Sequence, residues 1–287
     1  MKLCEGVHCL RIDFYITPQI KRFVFVYILT GTYCYLIDTG VHGSQQIIEV
    51  YLKSIGYHLQ DIRGVFLTHA HPDHMGSAAA IQKITGCRVY GSIRERAWIE
   101  DPSRQCRERP IPNFHLLLQD AVTLTDPLEA YANITLENHM TLEALSTPGH
   151  SQGSMSFLYN GLVLFSGDVI PVRGDIPIYT NVQEERAALK LLSTYRSIAY
   201  CCPAWDHVYR CEEGLKNWRM PCVLSVNMTA VSGKFCQTIR KRKRNSCLSW
   251  SVNKGRCSNS KRIRCFVRLF THISPIAGIM ICTDICS

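Results

Sequence analysis

An apolar segment that leads straight into a cluster of histidines constrains this 287-residue chain more than any other feature of its sequence. The stretch RGVFLT has the apolar, β-branched character of a short buried strand, and HAHPDH follows it without a spacer. Next, GSAAAIQKITG has helical periodicity and reaches Gly86, the residue type at which helices commonly stop. The cluster is therefore expected on a strand-to-helix loop, where α/β folds usually carry their chemistry.

The flanking segments continue the α/β pattern. FVFVYIL and TYCYLID predict two adjacent strands, and Ser44 can cap a following helix that Gly56 closes. LENHMTLEALS predicts a strand that ends at the turn TPGH, and SMSFLYNGLVLFSGD predicts a hairpin about Asn160 and Gly161. Asn181 predicts the start of a further helix. Together these elements form two similar strand–helix halves.

Charge divides the chain into two parts. Residues 1–207 carry 17 Lys and Arg against 20 Asp and Glu, a net charge of −3, whereas residues 208–287 carry 15 against 3, a net charge of +12. The overall charge of +9 therefore belongs to the C-terminal part. We predict one α/β domain over residues 1–207 and a basic, cysteine-rich tail over residues 208–287.

The cysteines and apolar runs favour a reduced, cytoplasmic protein without membrane contact. The 15 cysteines are odd in number and include no CxxC pair, and the first 22 residues lack the uninterrupted apolar stretch of a signal peptide. No apolar run reaches the roughly 20 residues that a membrane span needs. The sequence leaves the oligomeric state open.

The histidine cluster has the donor types and the spacing of a metal site. His69 and His71 are two apart on an extended segment, so they point the same way and can hold one ion. The turn at Pro72 redirects Asp73 and His74, which are then free to hold a second. A polar turn that happens to be rich in histidine is the alternative, but burying so many polar groups without a partner would be costly.

The motif His-x-His-x-Asp-His, formed by His69, His71, Asp73 and His74, resembles the signature of the metallo-β-lactamase-fold hydrolases. The Asp-Thr-Gly turn at residues 38–40, the TPGHS turn and the FSGD strand end add to the resemblance, which covers about residues 27–206. The resemblance implies an αββα sandwich of two similar halves.

The same resemblance implies two zinc ions. The residues that it assigns are His69, His71 and His150 for the first ion, Asp73 and His74 for the second, and Asp168 as the bridge. Dinuclear members usually supply one more histidine after the last helix, and His207 is the candidate here. Without it, the second site would rest on Asp73, His74 and Asp168, which suit zinc, manganese or iron. Asp38 is expected to orient a ligand rather than to bind metal.

Two metal ions in this arrangement would supply a hydroxide near neutral pH and polarise a substrate carbonyl or phosphoryl oxygen. Asp73 is the expected catalytic residue, because a carboxylate beside the metal-bound water can pass its proton to the leaving group. No protein nucleophile is required.

The motif does not by itself choose a substrate, because this fold hosts many reactions. His74 differs from the zinc β-lactamases, which commonly lack a histidine there, and TPGHSQGSMSF resembles the glyoxalase II and lactonase side of the family. A small thioester or lactone is the expected substrate. The residues that could contact it, or that only structure their loops, are Arg173, Asp175 and Tyr179 after the last predicted ligand, and His42 and His115.

The basic tail keeps other functions open. Runs such as IRKRKRNSC could bind phosphates for a metal-dependent nuclease or phosphodiesterase, or form a nucleic-acid-binding module on a weakened hydrolase core. Little apolar periodicity and no zinc-knuckle spacing argue against both. A further interpretation is that the reading frame or gene model departs near Asp206. We expect a small molecule as the main partner, and nucleic acid is disfavoured.

Overall fold

The computed structural model describes residues 1–171 and 178–210, which form two β-sheets with helices against them. The first sheet contains β1 (Lys2–Cys4), β2 (Val7–Thr17), β3 (Ile20–Thr30), β4 (Cys34–Ile37), β5 (Ile62–Phe66), β6 (Arg88–Ser92) and β7 (Asp126–Leu128). The second contains β8 (Tyr131–Glu137), β9 (Met140–Ser146), β10 (Met155–Tyr159), β11 (Val163–Gly167), β12 (Tyr200–Pro203) and β13 (Tyr209–Arg210).

In both sheets, strands that are consecutive in sequence are hydrogen-bonded neighbours. The pairs β4–β5, β5–β6, β6–β7 and β11–β12 are parallel, and the other pairs are antiparallel. The helices of the described residues are α1 (Ser44–Ser54), α2 (Pro72–Met75), α3 (Ala78–Thr85), α4 (Arg96–Ile99), α5 (Pro102–Glu108), α6 (Phe114–Leu117) and α7 (Val182–Leu192). Parallel strands need such crossover connections, and α1, α3, the three helices α4 to α6, and α7 lie in the four crossovers.

Strand alternation sorts the apolar side chains into three layers. One layer lies between the sheets and includes Tyr27, Leu29, Ile37 and Phe66 of the first sheet with Leu142, Met155, Phe157 and Phe165 of the second. A second layer joins the outer face of the first sheet to α1, α3, α4 and α6. The third joins the outer face of the second sheet to α7. The predicted αββα sandwich is confirmed.

Local signals in the sequence place several turns correctly. Asn160 and Gly161 join β10 to β11 with φ of 48° and 68°, and Gly86 ends α3 with φ of 67°. The side chain of Asn181 accepts hydrogen bonds from two backbone N–H groups of the first turn of α7. By contrast, Ser44 does not cap α1. Gly43 holds that position at φ 87°, because the Ser44 side chain packs into the turn at Gly40 instead.

Two regions differ from their predicted structure. The segment LENHMTLEALS is the end of β8 and all of β9, joined at His139 with φ of 64°, and not one strand. Residues between 92 and 136, expected as loops broken by prolines, contain α4, α5 and α6. Helices of four to seven residues are too short to show a periodic apolar face.

Two further points concern the predicted tail and the membrane. β13 lies just past the predicted boundary at residue 207 and pairs with β12, whereas residues 211–287 lie outside the described part of the chain. No helix within residues 1–171 and 178–210 is long and apolar enough to cross a membrane.

Candidate functional site

The candidate site lies where the ends of β4, β5 and β11 meet at one edge of the sandwich. Asp38, Thr68 and Asp168 each follow one of these strands closely. The backbone N–H of Asp38 donates to Phe66 O at 2.9 Å, which ties the first two ends together. Gly167 allows the third end to approach, because its φ is 54° and a Cβ there would lie 2.8 Å from the Thr68 side chain.

Three buried histidines converge on one point. His69 Nε2 lies 2.8 Å and His150 Nε2 lies 3.0 Å from His71 Nδ1. Tetrahedral zinc with Zn–N bonds near 2.0–2.1 Å holds neighbouring nitrogens about 3.3 Å apart, so this spacing suits three ligands of one ion. His69, His71 and His150 form the first ligand group.

Hydrogen bonds to the ring nitrogens that face away from the site determine the tautomers of His150 and His69. His150 donates from Nδ1 to the backbone oxygen of Ile178 at 2.8 Å, which leaves a lone pair on Nε2. His69 Nδ1 lies 3.0 Å from Thr68 Oγ1, whose own proton goes to Asp38 at 2.8 Å. His69 therefore donates from Nδ1, and its Nε2 lone pair also faces the site.

A second group consists of His69, His74 and Asp168. His74 Nε2 lies 3.3 Å from Asp168 Oδ1, and His150 Nε2 lies 3.4 Å from Asp168 Oδ2. The Asp168 carboxylate thus reaches both groups. His74 Nε2 and Asp168 Oδ1 are buried and form an ion pair with each other, but neither has a hydrogen bond of good geometry among the described residues, so a ligand between them would satisfy both. A metal ion fits this donor set.

Asp38 fixes the second histidine from behind. Its carboxylate accepts from the Thr68 N–H and from His74 Nδ1, both at 2.8 Å. Asp38 has a positive φ of 59°, consistent with its place in the tight Asp-Thr-Gly turn. The orienting role expected for Asp38 agrees with these contacts.

Burial and neighbouring carboxylates set the protonation of the site. Burial lowers the pKa of His69 and of His71 well below its usual range, so both rings are neutral and keep their lone pairs at pH 7. Burial would also lower the pKa of His74, but Asp168, Asp73 and Asp38 outweigh it and raise that pKa well above its usual range. These carboxylates therefore favour a positive charge at His74. A bound metal ion can supply that charge in place of a proton on the ring.

The structure brings together most of the predicted ligands. His69, His71, His74, His150 and Asp168 lie in the two groups. Asp73 lies beside them, with Oδ2 3.7 Å from His74 Nε2, and burial raises the pKa of its carboxyl, with Asp168 adding to the effect.

The structure does not bring His207 to the cluster. Its side chain is 63% exposed, its Nδ1 lies 2.9 Å from Asp206 Oδ1, and its ring packs on that of Tyr209 at an angle of 46°. The preceding residue, Asp206, has a positive φ of 78°. From the same loop, Trp205 approaches the site instead. Its buried indole N–H adds to the effect of the histidines in lowering the pKa of Asp168.

Two of the residues suggested for substrate contact have partners away from the histidine cluster, and two others lie outside the described residues. His42 donates its backbone N–H to Leu117 O at 2.7 Å, and His115 is exposed, with Nε2 3.9 Å from Cys106 Sγ. Arg173 and Asp175 lie outside the described residues.

Sequence reasoning missed Glu95, which joins the two histidine loops. Its fully buried carboxylate accepts from the N–H of Ala70 at 2.7 Å and from the N–H of Gly153 at 2.8 Å, and it also accepts from Ser151 Oγ. Ala70 lies between two ligands of the first group, and Ser151 follows the third. A single Glu in the charged run IRERAWIE has no spacing that distinguishes it from a surface residue.

Replacing Glu95 with glutamine tests this bridge. The new NH₂ group would face a backbone donor, so we expect at least one lost hydrogen bond and an unpaired buried donor. Metal affinity should fall about 10- to 100-fold, the usual effect of losing a group that orients ligands. Chelator competition measures this. Glu49→Gln, on the exposed side of α1, is the matched control. Wild-type affinity in Glu95→Gln would show that the carboxylate does not hold the ligand loops.

Comparisons with known proteins agree with this geometry. The family model of the metallo-β-lactamase superfamily matches residues 20–198. The probable metallo-hydrolase YqgX of Bacillus subtilis is 29% identical over 152 residues, covering 50% of this chain and 64% of that protein. Hydroxyacylglutathione hydrolase of Pseudomonas putida is 26% identical over 187 residues, covering 63% of this chain and 60% of that protein. The chain thus spans less than two thirds of the length of either relative.

Solved structures show the same fold. A metallo-β-lactamase family protein from Thermus thermophilus superimposes with a TM-score of 0.62 at 19% identity, covering 73% of this chain and 76% of that chain. The B3 metallo-β-lactamase BLEG-1 superimposes with a TM-score of 0.52 at 23% identity, covering 70% of this chain and 94% of that chain. With its two-sheet sandwich and a family match across residues 20–198, the chain belongs to the metallo-β-lactamase superfamily.

Proposed function

We propose that this protein is a zinc-dependent hydrolase with two metal ions that cleaves a small thioester, lactone or related ester. The observation that carries the proposal is the Asp168 carboxylate, which lies 3.3 Å from His74 Nε2 and 3.4 Å from His150 Nε2 and so can serve both ligand groups. The donor set of imidazoles and carboxylates suits zinc, with manganese or iron as further candidates for the second group.

The residues that would hold the ions are those of the two groups, with Asp73 added to the second. When bound, the ions would lower the pKa of water and polarise the substrate carbonyl. The protein itself orients the metal ligands. Asp38, Glu95 and Ile178 O hold the ligand rings and loops in place, and no side chain is needed as a nucleophile.

We propose that Asp73 transfers the proton from the attacking water to the leaving group. Its Oδ2 lies 3.7 Å from His74 Nε2, beside the second group, so its carboxylate could reach a water held there. It would take the proton of the attacking water and return it to the leaving sulfur or oxygen.

Replacing Asp73 with asparagine separates this role from simple binding. The amide cannot carry the proton, so kcat should fall about 100-fold or more while KM changes little. Steady-state kinetics with metal content measured on the same sample checks this. Near-normal turnover at full metal content would rule Asp73 out as the proton carrier.

A thioester substrate is favoured by the hydroxyacylglutathione hydrolase relative and by the short TPGHS turn that carries His150. The nuclease and nucleic-acid-binding alternatives depend on residues 211–287, outside the described part of the chain. The cytoplasmic location stays a prediction.

The decisive experiment measures metal per chain and hydrolysis together. Zinc-loaded full-length protein is expected to cleave a hydroxyacylglutathione thioester or a small lactone, to lose the activity on chelation, and to regain it when zinc is added. A protein that holds metal but cleaves neither substrate would contradict the proposal.

A further inference from the structure

The loop that follows β12 brings Trp205 to the edge of the sandwich where the candidate site lies. The backbone N–H of Ala204 donates to Gly167 O at 2.9 Å, and the N–H of Phe25 donates to Ala204 O at 2.8 Å. Gly167 immediately precedes Asp168 in the chain. These hydrogen bonds therefore hold the backbone of Trp205 beside the residue whose carboxylate reaches both ligand groups.

Aromatic side chains of the β2–β3 hairpin fix the ring of Trp205. Its centroid lies 6.4 Å from that of Phe14, edge-on at 71°, and 6.2 Å from that of Phe23, at 45°. Both distances lie in the range of favourable aromatic pairs. The ring also packs on the apolar layer between the first sheet and its helices. The indole therefore has little freedom to turn away from the site.

The indole Nε1 of Trp205 is buried, although the side chain as a whole is only partly buried. Within residues 1–171 and 178–210 it has no hydrogen bond of good geometry, and the same is true of Asp168 Oδ1. The N–H acts on this carboxylate, since it adds to the effect of His74 and His150 in lowering its pKa. A buried tryptophan N–H usually has an acceptor, and the nearby carboxylate can become one with a small rotation.

An indole N–H can only donate, so Trp205 orients a ligand rather than binding an ion itself. His207, the candidate ligand of the same loop, is exposed and paired with Asp206. The loop thus offers the second group a donor to its carboxylate. Each carboxylate oxygen has two lone pairs, so Asp168 can bind an ion and still accept from the indole.

We propose that Trp205 is a positioning residue whose indole N–H donates to the Asp168 carboxylate and holds it where it serves both ligand groups. This inference rests on the proposed two-metal site. The first ion would keep its three histidines without the indole, whereas the second depends on carboxylates for most of its ligands. Loss of a group that orients metal ligands usually costs about 10- to 100-fold in metal affinity, and we expect this cost at the second ion.

Two substitutions separate the N–H from the ring. Trp205→Phe keeps an aromatic ring against Phe14 and Phe23 but removes the donor. Trp205→Gln removes the ring but keeps an N–H at the same number of bonds from Cβ. If the donor matters, Trp205→Gln binds the second ion more tightly than Trp205→Phe, and if only packing matters, the order is reversed.

Zinc titration of the metal-free proteins against a chromophoric chelator measures both binding steps. In Trp205→Phe we expect the second ion to bind about 10- to 100-fold more weakly and the first to change less than about threefold. Trp98→Phe is the matched control, because Trp98 donates its indole N–H to Glu108 at 2.6 Å on the surface, and it should match wild type.

The indole N–H itself provides a readout that needs no turnover. In proton–nitrogen NMR of isotope-labelled protein, the indole signal missing from Trp205→Phe or Trp205→Gln is that of Trp205. In wild type it should move downfield as the second ion binds, because the N–H then donates to an ionised carboxylate.

Two results would overturn the assignment: a Trp205 signal that does not respond to metal, or a second ion bound by Trp205→Phe as tightly as by Trp205→Gln. If wild type binds a single ion, the two-metal proposal fails. The response of the Trp205 signal to that ion still decides whether the indole holds Asp168. Should Trp205→Phe not fold, Trp205→Gln assigns the signal, and the wild-type response carries the test.

Discussion

Asp168→Asn is expected to remove at least one of two bound metal ions and to reduce kcat/KM by about a thousandfold or more. The Asp168 carboxylate lies 3.3 Å from His74 Nε2 and 3.4 Å from His150 Nε2, and these histidines, His74 foremost, lower its pKa despite its burial. An amide removes the negative charge that lies between the two groups. The loss corresponds to several kcal/mol of charge stabilisation, the usual contribution of a catalytic metal.

Metal per chain by plasma emission, together with kcat/KM on the same samples, measures both effects. His207→Ala is the matched control. His207 is exposed and paired with Asp206, so its loss should leave metal content unchanged. If His207→Ala lost one ion, this histidine would reach the second group in solution. If Asp168→Asn kept two ions and normal activity, the carboxylate would not be the bridge.

The proximity of the candidate ligands could be predicted from the sequence because their signal is local. His69, His71, Asp73 and His74 lie within six residues after an apolar strand, and the strand itself determines which way they point. The elements that carry His150 and Asp168 also have local signals, namely a Pro-Gly turn and an Asn-Gly hairpin. Chain-order pairing of the strands then brings these short segments to one edge of the sandwich.

The supporting residues could not be predicted because their roles depend on tertiary placement. Glu95 and Gln105 lie in the stretch expected to be loops. Glu95 accepts from the N–H of Ala70, 25 residues away in sequence, and Gln105 donates to Ala70 O, 35 residues away. His207 shows the converse. Its residue type suits a metal ligand, but its side chain is 63% exposed and pairs with Asp206. A residue type alone does not fix the direction of a side chain.

Glu185→Gln is expected to stabilise the metal-free protein at alkaline pH by up to about 5 kcal/mol. Glu185 is 7% exposed, in the first turn of α7, and its carboxylate packs so closely on Gly149 that a Cβ there would collide with Oε2. That oxygen has no hydrogen-bond partner among the described residues. Burial raises the pKa of Glu185 to about 8, and the charge of Asp168 adds to this effect.

The direction of this pH dependence of stability follows from proton linkage. The folded state holds the Glu185 proton up to about pH 8, whereas the unfolded state releases it near the ordinary glutamate pKa of 4.5. The contribution of Glu185 to stability is therefore fully present below about pH 4.5 and is lost as the pH rises to about 8, because folding above that pH requires a buried carboxylate. Glutamine keeps the shape without the charge, so the loss should disappear.

Urea unfolding of metal-free wild type and Glu185→Gln from pH 5 to pH 9 measures the difference in free energy of unfolding. It should be small at pH 5 and grow with pH, levelling off above about pH 8. Glu184→Gln is the control, because Glu184 is the neighbouring residue, about a third exposed, and lies within 3.4 Å of Arg94. A constant difference across this pH range would show that Glu185 is ionised in the folded protein, with a cation or water at Oε2 in place of the proton.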